Sequence, residues 1–80
     1  MDKENVSLRV VENIKLLCKL HNLKIGELED VVGVSQGYFS RFKINTRNMS
    51  LDTAYKVSQH FNISMDELCT FPKDLIMYYI

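Results

Sequence analysis

Between Ser35 and Phe42 the chain gathers its best recognition chemistry: Gln36, Ser40 and Arg41, with Gly37 among them. An amide carries donors and an acceptor together, a hydroxyl serves as either, and a guanidinium offers a planar fork of donors. Such groups read the donor and acceptor pattern of a partner without making or breaking its bonds. Bond-making chemistry has no comparable candidates. The sequence shows no paired carboxylates, no nucleophile–base couple and no phosphate-cradling glycine loop, so no enzyme is expected. Cys18 and Cys69 form no CxxC motif, and with His21 and His60 they match no structural zinc spacing. They read as free thiols, with no metal and no cofactor expected.

Two short helices are predicted to hold these side chains in place. Ile25, Leu28, Val31 and Val32 recur at helical spacing on one face of a helix over about 25–32. Gly33 stops it, because the left-handed conformation of a helix end is nearly free for glycine. Ser35 is placed to cap a second helix with its hydroxyl oxygen, running from Gln36 to Phe42 or Lys43. Phe39 and Phe42, three apart, share the hidden side of that helix. Gln36, Gly37, Ser40 and Arg41 are left facing outward. Helix, three-residue bend and helix make a helix-turn-helix.

The remaining elements follow from the same rules. Leu8, Val11, Ile14, Leu17 and Cys18 predict a first amphipathic helix over about 6–21, ended by Asn22. A polar connector, residues 44–49, leads to Ser50, which caps a helix whose inner face is Leu51, Ala54, Val57, Ser58 and Phe61. Ser64 and Glu67 form a capping box for a short helix through Cys69. Pro72 marks a new start, and residues 75–80 are almost wholly apolar. The expected fold is thus all-α, five compact helices over residues 1–70 with the helix-turn-helix at the second and third. Residues 71–80 form a short apolar extension. Leu75, Ile76, Tyr78, Tyr79 and Ile80 are candidate dimer contacts, the alternatives being a fold-back onto the chain's own core or a lost following domain.

Net charge is zero over 80 residues, with pI near 6.7. A nucleic-acid binder is usually more basic. The distribution answers part of the objection, since residues 31–60 hold Arg41, Lys43, Arg47 and Lys56 against Asp52 alone. Screening over a Debye length of about 8 Å makes acids on the far side of the domain count little at that surface. The charged N-terminus predicts no secretory signal, and no apolar run approaches the roughly 18–20 residues of a membrane span. A cytoplasmic protein is expected.

These residues resemble the lambda-repressor and Cro type of helix-turn-helix, also called the XRE family, over about residues 14–68. The resemblance is carried by Leu17, Leu23, Leu28, Val32, the Gly33-Val34-Ser35 bend, Phe39, Leu51, Phe61 and the Ile63, Asp66 and Leu68 ending. It implies a five-helix DNA-binding domain, ordinarily of a dimeric transcriptional repressor, whose third helix enters the major groove. The bases would then be met by Gln36, Gly37, Ser40 and Arg41, with glutamine suited to adenine and arginine to guanine. The DNA backbone would be met by Lys24, Tyr38, Lys43, Thr46, Arg47 and Asn48. Tyr38 reads equally as a core residue.

The chain departs from the family in three places. Glu29 stands where a small residue is usual, Ile25 replaces a phosphate-clamping glutamine, and Cys18 and Lys43 replace an arginine–glutamate pair. Neutral net charge, Ile25 and the acidic cluster Glu27, Glu29 and Asp30 favour a competing reading. That alternative is an antitoxin-like or regulator-binding interaction module that keeps the fold and binds little DNA.

Overall fold

The computed structural model describes residues 6–42 and 49–77. The described residues form five helices: α1 (Val6–Leu20), α2 (Ile25–Val32), α3 (Leu51–Phe61), α4 (Met65–Leu68) and α5 (Pro72–Met77). The architecture is all-α, with α1 central and packed against each of the other four. Val10, Ile14, Leu17 and Cys18 of α1 meet Leu28 and Val32 of α2, and Ala54, Val57 and Phe61 of α3. Phe39, Leu68 and Leu75 complete the core.

Short-range chemistry sets the helix ends. Asn22, Gly33 and Asn62 all adopt left-handed backbone angles where α1, α2 and α3 stop. At each stop the following amide reaches back to satisfy an open carbonyl: Leu23 N–H to Cys18, Val34 to Glu29 and Ile63 to Ser58, at 2.8–3.0 Å. Ser50 Oγ accepts the Thr53 N–H at 3.1 Å and caps α3. Ser64 and Glu67 make the reciprocal pair of the capping box at 3.0 and 2.8 Å.

The five-helix count is reached with a different set of elements from the one the sequence suggested. Residues 36–41, expected as a helix, are a run of turns. Residues 72–77, expected only as an extension, form α5. Leu75, a candidate dimer contact, is wholly enclosed in the chain's own core and offers nothing to a second copy. Its burial is the fold-back alternative realised for this part of the tail. Ile76 is half-buried, Met77 is exposed, and Tyr78, Tyr79 and Ile80 lie outside the described residues.

The C-terminal segment is tied to α1 by polar contacts as well. Asn13 Nδ2 donates to the carbonyls of Leu68 and Thr70 at 2.7 and 2.6 Å. Arg9 Nε donates to the Cys69 carbonyl at 2.8 Å, and its guanidinium lies 4.4 Å from the centre of the Phe71 ring.

Two apolar residues expected inside are outside. Val31 is 61% exposed and Leu51 77%. On α2, at about 100° per residue, Ile25, Leu28, Glu29 and Val32 span one face, and Val31 falls beyond its edge. Glu29, on the inward face, is 1% exposed. Leu51 sits in the first turn of α3, past the end of the core, while Thr53 is buried with its hydroxyl bonded to Ser50.

Candidate nucleic-acid interface

The site is built on α2. Lys24 precedes the helix as its N-cap, and its backbone N–H donates to Glu27 Oε1 at 3.1 Å. Gly33, at φ 82°, ends the helix and turns the chain through Val34 and Ser35. The next segment folds back over the α2 face that carries Glu29.

That segment begins with a break in helical geometry. Gly37 has φ 91°, a value closed to a right-handed helix and hard for any residue with a Cβ. After it comes one turn of helix-like bonding, Arg41 N–H to the Gly37 carbonyl at 2.8 Å, then a looser bond from Phe42 to Phe39 at 3.3 Å. The continuous helix expected from Gln36 to Phe42 or Lys43 is therefore corrected, as far as Phe42, to a single turn.

Glu29 takes the capping role expected of the Ser35 hydroxyl. Its Oε1 accepts the Gly37 N–H and its Oε2 the Phe39 N–H, each at 2.8 Å. Ser35 contributes its carbonyl, which accepts the Tyr38 N–H at 3.0 Å. A carboxylate accepting amide N–H groups makes shorter, stronger bonds than a neutral acceptor. Occupying both oxygens in this way offsets part of the cost of burying the charge.

The apolar side of the segment is anchored in the core. Phe39 is fully buried, with Tyr38 edge-on to it at 5.2 Å between ring centres and Phe42 5.9 Å from Tyr38. Tyr38 is half-buried and packed on the core, which is the structural side of its double reading. Gln36, Ser40 and Arg41 are exposed and Gly37 is half-buried. The Arg41 guanidinium lies across Gly37, so close that a Cβ there would fall 2.8 Å from Nε. Gln36 Nε2 donates to the Gly26 carbonyl at 3.2 Å. That bond uses one of its two amide hydrogens, and Oε1 lies beside Gly26 as well, where a Cβ would fall 3.1 Å from it.

Lys24 is exposed at one end of this surface. Lys43, Thr46, Arg47 and Asn48, the other expected backbone contacts, lie outside the described residues. Beneath the surface, Cys18 is a buried free thiol. Burial, and then the nearby Glu29 charge, push its pKa up. The sequence reading passed over Glu29 as a site residue. Its only signal was an acid in the inward phase of α2, where a small residue is usual.

A helix, a glycine-ended bend and a second short element pinned across it, polar side outward, define a helix-turn-helix protein. The model of the Cro/C1-type HTH DNA-binding domain matches residues 13–74, and the chain belongs to that family. Neither a curated protein nor a solved structure matches it. The chain is accordingly a DNA-binding protein of the regulatory helix-turn-helix kind. Among the described residues, no helix is long and apolar enough to cross a membrane.

Proposed function

We propose that the chain is a sequence-specific transcriptional repressor that binds paired half-sites as a homodimer, with residues 36–42 in the major groove. The observation that carries this reading is the division of that segment. Phe39 is sealed in the core, while Gln36, Ser40 and Arg41 face solvent one after another. Once released from the Gly26 carbonyl, the Gln36 amide offers the N–H and Oε1 pair that adenine requires, and the Arg41 fork suits guanine. Ser40 is less selective, and Gly37 admits a thymine methyl or the DNA backbone closely. Lys24 and Tyr38, with Lys43, Thr46, Arg47 and Asn48, would hold phosphates and fix the register.

Selection of binding sites from random duplexes at two salt concentrations, with the mass of the complex measured, tests the proposal. If each subunit neutralises about three phosphates, the dimer shows a log–log salt slope of roughly −5. A two-to-one complex on a repeated half-site is expected. A slope near zero sinks the DNA reading.

One feature favours the interaction-module reading. Leu51 and Tyr55, one turn apart on α3, are both exposed and apolar, a surface suited to a partner protein. A protein complex that forms at full strength while DNA affinity stays weak and non-selective would favour it.

A further inference from the structure

We propose that Glu29 is the positioning residue for base recognition: its buried carboxylate, by gripping the Gly37 and Phe39 amides, sets the angle at which Gln36, Ser40 and Arg41 meet DNA. This rests on the DNA-binding reading above and adds a residue that never touches the nucleic acid.

A regular recognition helix holds its own shape through a ladder of backbone bonds. Here Gly37 interrupts that ladder at φ 91°, and among the described residues of the segment one α-type bond, from Arg41 to Gly37, spans the exposed face. Orientation must come from elsewhere. Glu29 supplies it with two oxygens on two amides of the same segment, both at 2.8 Å, which fixes rotation as well as distance. The carboxylate itself has little freedom, because Leu28 and Val32 beside it are locked in the core. Removing either amide would strand a buried charge, so the arrangement resists deformation. Base-reading side chains tolerate only about half an ångström of error, which makes such stiffness matter for selectivity.

The test is Glu29→Gln, nearly the same shape but with one oxygen replaced by an NH2 that opposes an amide N–H. Affinity is measured for the duplex recovered by selection and for a scrambled duplex of equal length, with amide exchange followed by NMR. The expected result is an unchanged helical fold and faster exchange at Gly37 or Phe39. Discrimination between the two duplexes falls at least tenfold, while scrambled-duplex affinity stays within twofold. A merely structural role would lower both affinities together and so overturn the proposal. Discrimination that survives in the variant also overturns it, leaving the DNA reading intact. Original protein that cannot tell the duplexes apart removes both. Should Glu29→Gln fail to fold, exchange in the unaltered protein decides. Slow exchange at both Gly37 and Phe39 supports the grip, and rates like that of the exposed Ser40 reject it.

Discussion

The Phe39 amide meets the Glu29 carboxylate at 2.8 Å, which ties the deepest residue of the outward segment to a helix of the core. Because Phe39 is also fully buried, the segment is held from both sides: its ring by apolar packing, its backbone by charge. What remains for solvent is a short polar surface on a stiff mount.

Gly37→Ala should cost roughly 1–2 kcal/mol of stability, since its backbone angle lies in the region where a Cβ meets the following carbonyl. The new methyl would also displace the Arg41 guanidinium, now lying over the glycine. Chemical denaturation and binding to the selected duplex should therefore both show a loss. Equal stability would mean that residue 37 does not hold this conformation in solution.

Arg41→Ala should weaken binding to the selected duplex by about 1–3 kcal/mol and relax the preference at one base pair. Repeating the selection with the variant reads this directly. The same preferred sequence in both selections would show that Arg41 contacts no base.

Leu75→Ala should lower stability by about 2–5 kcal/mol, because the leucine is fully enclosed in the single chain. The loss should be the same at micromolar and tenfold higher protein concentrations. A loss that shrinks as concentration rises would instead place Leu75 between two copies.

Cys18 makes stability depend on alkaline pH. Burial first, and Glu29 second, raise its pKa, so the folded chain keeps the proton that the unfolded chain releases. The stabilisation is fully present below the unfolded thiol's value of about 8.5 and is lost as pH climbs through the higher folded value. Denaturation midpoints from pH 7 to 10 should fall more steeply for the original protein than for Cys18→Ala. Parallel curves would refute the assignment. Cys69, only half-buried, should react with a thiol reagent before Cys18 does.

Helix ends were legible in the sequence wherever the deciding chemistry is local. Ser50, Gly33 and the Ser64–Glu67 pair act within four residues of themselves, so their types and spacing suffice. A helix over 36–42 was the wrong expectation because local signals do not show that the Gly37 amide is taken by Glu29, eight residues earlier. Glycine alone does not announce whether it will use its freedom. Glu29 was unreadable for the same reason: an acid in an inward phase signals a partner without naming it. Val31 and Leu51 were placed inside on apolarity, which does not distinguish the edge of a helix face from its centre. The site residues on the exposed side were readable because Phe39 fixes which side is hidden.

Amide-shift mapping of the labelled protein, titrated with the selected duplex at moderate salt, tests the orientation most directly. Gln36, Gly37, Ser40 and Arg41 should move most, with Lys24 among the flanking changes and the buried Leu17 and Val57 nearly still. Shifts centred instead on the Leu51–Tyr55 face of α3, with 36–41 unmoved, would contradict it.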